Sequence, residues 1–151
     1  MAAQLATSQA TAVSSCAGLS AKPDPELRTA VKILVVEDHE IVRKGLCRLI
    51  GGYSGWKVCG EAANGREATE KTLALRPDVV VIDLLMPVMN GIEATEQIRR
   101  LCPATKVVMI SIYDSQELEA QQAGANAYVG KSRTWEDLRC AIASVLGSER
   151  S

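Results

Sequence analysis

Five polar side chains stand just beyond short apolar runs of this chain: Glu37 and Asp38, then Asp83, Ser111 and Lys131. Brought to one place, three carboxylates, a hydroxyl and an ammonium group define a narrow range of chemistry. Carboxylates held within several Å of one another repel, which raises a pKa unless a cation lies between them. Oxygen donors with room for water suit Mg²⁺ better than Zn²⁺. Two of the carboxylates would then hold the metal while the third attacks phosphorus. Mg²⁺ and Lys131 would neutralise charge on the incoming phosphoryl oxygens, and the Ser111 hydroxyl would donate to one of them. The product of that reaction is an aspartyl phosphate. Any one of these residues alone reads as an ordinary strand end or helix cap; the weight lies in finding all five at comparable positions.

The elements that must deliver them are legible in the apolar pattern. Ile33-Leu34-Val35-Val36, Val79-Val80-Val81-Ile82 and Val107-Val108-Met109-Ile110 are short continuous apolar runs rich in β-branched residues. They read as strands buried on both faces. Trp56-Lys57-Val58-Cys59 and Ala127-Tyr128-Val129 are weaker runs that supply a second and a last strand. Between them lie helical stripes: Ile41, Val42, Leu46, Leu49 and Ile50; Ile92, Thr95, Ile98 and Leu101; Trp135, Leu138, Ile142, Val145 and Leu146. Asn64 with Glu67 predicts the cap of a helix ending near Leu75, and a short helix is expected from Gln116 to Ala123. Five β/α units imply a parallel sheet with helices on both faces. In such sheets ligands sit beyond the carboxyl ends of the strands, where the strand order reverses. Those ends are where the five polar residues stand.

Composition narrows the function classes. The chain has 151 residues, 47% of them hydrophobic, and a formal net charge of −1. That is enough apolar content for one sizeable core. It creates no overall field toward nucleic acid or anionic lipid. The five cysteines, Cys16, Cys47, Cys59, Cys102 and Cys140, are odd in number and form no Cys-x-x-Cys pair. They argue for thiols in a reducing cytoplasm. No run of about 18 apolar residues is present to span a membrane, and the N-terminus lacks a signal-peptide pattern. Residues 1–30, rich in Ala, Ser, Thr and Gln and closed by Lys22-Pro23-Asp24-Pro25, read as a disordered extension.

The motifs resemble those of response-regulator receiver domains. Ile33 to Asp38 resembles the family's first strand and acidic pair. Asp83-Leu84-Leu85-Met86-Pro87-Val88-Met89-Asn90-Gly91 is similar to its phosphoacceptor loop, an Asp followed by Met-Pro and then Gly. Ser111 matches the switch hydroxyl, Tyr128 the aromatic switch position three residues before Lys131, and Gly124-Ala125 stands where the family has it. The likeness runs from about Val31 to Gly147. It implies a CheY-like, flavodoxin-like α/β fold, a doubly wound five-stranded parallel sheet of order 2-1-3-4-5 in a single domain over 31–148. It implies two-component phosphorelay signalling, in which Asp83 accepts a phosphoryl group from a phosphohistidine, with Lys131 and Ser111 as catalytic contacts. By the same resemblance Mg²⁺ is held by Glu37 (directly or through water), Asp38, Asp83 and the backbone carbonyl of Leu85. The implied partners are a sensor histidine kinase or phosphotransfer protein and an output partner, with a homodimer as one candidate. The module would catalyse only its own phosphorylation and dephosphorylation.

Glu37-Asp38-His39 and Lys131-Ser132 are similar to receivers of the NarL/FixJ branch, which usually precede a helix-turn-helix domain. The chain stops at Ser151, just after the last helix, so no such domain is expected in it and no direct contact with nucleic acid. A stand-alone receiver and the receiver portion of a DNA-binding regulator both remain open. Asn90, where many members carry Asp, is read as a loop residue without effect on chemistry. The stretch from Ser111 to Lys131 is shorter than usual, so the fourth helix is expected to be trimmed. By the same resemblance, Leu85 and Tyr113 stand at the positions that in the family flank the approach of a hydrolytic water, and they are expected to modulate dephosphorylation. His39, the sole histidine, is assigned a surface or cap role, and Arg99 and Arg100 complement a helix C-terminus. A phosphatase would want a second Asp at position 85, which is Leu. A flavin-binding protein would not place Glu37-Asp38 where phosphate must sit.

Overall fold

In the computed structural model the described residues are 30–112, 116–130 and 135–150, with the side chains of 148–150 left aside. The extension expected over 1–30 lies, but for residue 30, outside them, as do Tyr113 and Lys131. From Val31 the chain alternates strand and helix: β1 Val31–Val36, α1 Glu40–Gly51, β2 Trp56–Ala62, α2 Gly65–Leu75, β3 Val79–Asp83, α3 Gly91–Leu101, β4 Lys106–Ser111, α4 Glu117–Ala123, β5 Ala127–Gly130 and α5 Trp135–Arg150. All strand pairs are parallel, in the order β2-β1-β3-β4-β5. The flavodoxin-like order and the five units are as the sequence implies.

Alternation along the strands divides the interior into two layers. Leu34, Val36, Val80, Ile82, Val107 and Met109 face α2, α3 and α4, packing with Ala68, Ala94, Ile98 and Ala120. Ile33, Val35, Val79, Val81, Val108 and Ile110 face α1 and α5, against Ile50, Leu138, Ile142 and Val145. Strands buried on both faces need apolar residues at every position, which is why β3 is Val-Val-Val-Ile before its terminal Asp. Register then sets the carboxyl edge. Val36 lies opposite Ile82, Asp83 opposite Ile110, and Ser111 opposite Gly130.

Helix α1 departs from the expected stripe. Ile41 is 87% exposed, Val42 41% and Leu49 47%; of the five residues only Ile50 is fully buried and Leu46 half-buried. The inward row is instead Arg43, Leu46, Cys47 and Ile50, the i, i+3, i+4, i+7 set. Arg43 can occupy it because its Nε donates to Glu61 Oε1 on β2 at 2.9 Å and its Nη1 to the Glu37 carbonyl at 2.8 Å. A hydropathy pattern misses an arginine whose charge is matched. Leu101, at the end of the α3 stripe, is likewise exposed.

The Arg43 guanidinium, helped by Lys44, holds the Glu61 carboxyl below its ordinary value. A lowered folded-state pKa gives stability that is present above the unfolded value and lost as pH falls through the folded one. Glu61→Gln should therefore lower the thermal midpoint at neutral pH. Its deficit should shrink as the pH drops below the ordinary glutamate value of 4.5. Thermal scans of both proteins between neutrality and acid check this; a deficit that does not change with pH would show that the pair contributes packing alone.

Candidate functional site

Asp83 ends β3 nearly buried, and the loop that follows is pinned from several sides. Leu84 N–H donates to Ile110 O at 2.9 Å, and Gly91 N–H returns to Leu84 O at 2.7 Å. Gly65 N–H, at the first turn of α2, donates to Met89 O at 2.9 Å. Between them, Met89 N–H bonds Pro87 O at 2.7 Å across Val88, whose φ of 70° lies in the left-handed region. A β-branched residue there is strained, and its side chain is exposed. A Cβ at Gly91 would collide with the Asp83 carbonyl oxygen, and one at Gly65 with the Met89 carbonyl oxygen. Only glycine lets helix starts approach the loop this closely.

Asn90 does more than the loop role expected of it. It is the N-cap of α3: its Oδ1 accepts from Glu93 N–H at 2.9 Å, while Glu93 Oε1 accepts from Asn90 N–H at 3.2 Å. This is a complete capping box. Its signal was the same Asn-x-x-Glu spacing as Asn64 and Glu67, where Asn64 caps α2 as expected.

At the end of β1 Glu37 is fully buried. Its N–H donates to Ala62 O at 3.0 Å, its carbonyl receives Arg43, and its Oε2 accepts from His39 N–H at 3.3 Å. Asp38 Oδ1 is buried and accepts no hydrogen bond from the described residues. His39, three-quarters exposed, stands at the N-cap of α1 without capping it through its side chain. Its Nδ1 lies 3.6 Å from both Glu37 Oε2 and Asp38 Oδ1. Among the described residues, Glu37, Asp38 and His39 form the group able to hold one metal ion, with donors within 4.8 Å of one another; Asp83 is not in it. Asp38 Oδ1, buried and without a hydrogen-bond donor among the described residues, next to the buried Glu37, makes the acidic pair fit a divalent metal.

Ser111 is buried at the end of β4, opposite Gly130. Tyr128 is half-buried on β5, opposite Met109, and packs on the α2–α3–α4 layer. An open hollow beside it is lined by Glu117, Tyr128, Asp137 and Cys140. Leu85 is about half exposed, and Ile112, just past Ser111, is exposed. Lys131 follows Gly130 directly and, like Tyr113, lies outside the described residues. The carboxyl edge thus carries the ends of β1, β3 and β4 with Glu37, Asp38, Asp83 and Ser111.

This is a doubly wound parallel sheet with acidic residues where its strand order reverses. Residues 33–143 match the response regulator receiver domain, and the chain belongs to that family. Receivers of two-component systems work with histidine kinases or phosphotransfer partners and generally bind Mg²⁺. The chain is 38% identical over 121 residues to the response regulator protein VraR of Staphylococcus saprophyticus, covering 79% of this chain and 58% of that one. It therefore spans little more than half the length of the curated relatives it matches. A two-component response regulator of the LuxR family from Aurantimonas is similar in structure. Its TM-score is 0.75 at 39% identity, over 78% of this chain and 85% of that one. The receiver domain of a putative response regulator NarL from Mycobacterium tuberculosis aligns with a TM-score of 0.68 at 32% identity, over 74% and 96%. No helix among the described residues is long and apolar enough to cross a membrane.

The close approach at Gly91 sets its substitution apart from that of a glycine in open space. Gly91→Ala should cost about 2 kcal/mol or more, because backbone must move, and Asn90→Ala about 1 kcal/mol. Gly45→Ala, in open space on α1, should gain up to about 1 kcal/mol. Urea unfolding of the three variants checks the ranking; Gly91→Ala as stable as Gly45→Ala would refute the close approach.

Proposed function

We propose that Asp83 accepts a phosphoryl group from a phosphohistidine on a partner protein and that the acyl phosphate switches a protein-binding face. The observation that carries this is the carboxyl edge: Glu37 and Asp83, both buried, stand at the ends of the neighbouring strands β1 and β3 where the strand order reverses, with the buried Asp38 Oδ1 next to Glu37 in the chain. An Asp83 carboxylate oxygen attacks phosphorus in line, the new O–P bond forms as the P–N bond breaks, and the leaving imidazole takes up a proton. The Ser111 hydroxyl and the Lys131 ammonium stabilise the phosphoryl oxygens. Glu37, Asp38, Asp83 and the Leu85 carbonyl are the groups we assign to Mg²⁺, which when bound offsets the charge of carboxylates and phosphoryl group. The pinned loop holds Asp83 oriented so that little ordering is left for the reaction. Ser111 and Tyr128 then couple the phosphoryl group to the face that includes the hollow between α4 and α5. On this reading residues 31–148 are the receiver, 1–30 an extension, and the setting is the cytoplasm. Output runs through a protein partner, a second copy of the chain being one candidate, rather than through direct contact with nucleic acid.

A second reading is favoured by two observations. The chain covers only 58% of the VraR relative, and a relative of known structure carries the LuxR-family description. On that reading this is the receiver portion of a DNA-binding transcriptional regulator.

Incubation with acetyl phosphate and Mg²⁺ should add one phosphoryl mass to the intact protein, and Asp83→Ala should abolish it. Uptake persisting in that variant would overturn the assignment. The lifetime of the adduct is a separate matter. Leu85 offers no hydrogen bond to a hydrolytic water and Tyr113 is bulky, so phosphate loss should be slow. Leu85→Asn with Tyr113→Glu should speed it by about tenfold or more; decay of the double variant no faster than the parent would show that shielding does not set the lifetime.

A further inference from the structure

We infer that His39 contributes an imidazole nitrogen to the cation held by the acidic pocket, giving the site a preference for nitrogen-accepting divalent ions, such as Mn²⁺, over Mg²⁺. The inference rests on the proposed metal role of Glu37 and Asp38 and adds a donor to it.

The geometry comes first. His39 Nδ1 is 3.6 Å from Glu37 Oε2 and 3.6 Å from Asp38 Oδ1. Both separations are too long for hydrogen bonds. They are close to the donor–donor edge of a metal site: bonds of about 2.1 Å give edges of roughly 3.0 Å in an octahedron and about 3.4 Å in a tetrahedron. Three donors from consecutive residues thus surround one point, with small adjustment needed in an exposed side chain.

The side chain is also available for this. His39 occupies the N-cap of α1, yet its imidazole does not cap the helix. Its own backbone N–H bonds Glu37 Oε2 at 3.3 Å, which ties the residue to the acidic pair. The Asp38 oxygen it faces is buried and accepts no hydrogen bond from the described residues. Among the described residues, Arg43 on α1 is already matched by Glu61 and the Glu37 carbonyl.

Ion chemistry then decides the preference. Mg²⁺ is hard, dehydrates reluctantly and gains little from an imidazole. Mn²⁺, Co²⁺, Ni²⁺ and Zn²⁺ all accept imidazole nitrogen, with affinity rising from Mn²⁺ through Co²⁺ to Ni²⁺. A pocket of two carboxylates and one imidazole therefore favours these ions, whereas carboxylates alone serve Mg²⁺ as well.

His39 is the sole histidine of the chain, so any imidazole signal from a bound ion has one source. The experiment uses the full chain without a histidine tag. Mg²⁺ and Mn²⁺ are titrated separately by calorimetry, and the Mn²⁺ complex is examined by pulsed electron paramagnetic resonance for imidazole nitrogen coupling. The expected result is nitrogen coupling in the parent and tighter binding of Mn²⁺ than of Mg²⁺. His39→Ala should remove the coupling and weaken Mn²⁺ by about tenfold, with Mg²⁺ changed by less than about twofold. Absence of coupling in the parent, or equal changes for the two ions in His39→Ala, would overturn the inference and reduce the imidazole to a neighbour of the carboxylates. Asp38→Asn separates the two levels. Loss of both ions in Asp38→Asn, with His39→Ala unchanged, discards the histidine and keeps the acidic site. Unaltered Mg²⁺ binding in Asp38→Asn removes the acidic site itself, and the inference with it.

Discussion

Placing carboxylates next to one another out of water is the constraint on which the rest of this structure turns. Two negative charges 4 Å apart at the effective dielectric of a protein repel by about 4 kcal/mol, and Glu37 has no exposed surface on which to disperse its charge. The fold answers in part with its own groups. The His39 amide reaches the Glu37 carboxylate, and Arg43 takes an inward place on α1 to meet the Glu37 carbonyl and Glu61. Burying an arginine in a helix–sheet seam makes sense only beside such a cluster. The remaining demand, centred on Asp38 Oδ1, is one that a cation meets.

The sheet is what makes that concentration of charge affordable. Parallel strands all end at the same edge, and the reversal of order between β1 and β3 leaves a crevice there. The two apolar layers on either side supply the stability against which the edge is held. Nothing in the interior chemistry is specific to signalling: the same Val-Ile strands would support many sites. The likeness to VraR and to the LuxR-family and NarL receivers spans this module.

Much of this is legible in the order of the residues. Continuous apolar runs fixed β1, β3 and β4 to within two residues, and the cap spacing located α2, because those signals are local and periodic. The acidic pair, Asp83 and Ser111 fell at strand ends, where a parallel sheet must gather them. The stripe on α1 was misread because hydropathy counts Arg43 as outward, while its partners Glu61 and the Glu37 carbonyl come from other elements. Asn90 was undervalued because its family position suggested a loop, although its spacing from Glu93 carried the capping signal. The nearness of His39 to the two carboxylates is a matter of side-chain direction, which residue order does not encode.

Val88 has a consequence for how this loop tolerates change. Its left-handed backbone is held by contacts made by its neighbours, Met89 to Gly65 and Gly91 to Leu84, and not by its own exposed side chain. The position is therefore chemically silent yet conformationally expensive, by about 1–3 kcal/mol. Glycine or asparagine there would relieve that cost without touching the acidic pocket, and bulkier β-branched residues would not. The rigidity of the segment after Asp83 is thus adjustable by one surface residue, independently of the groups that do the chemistry.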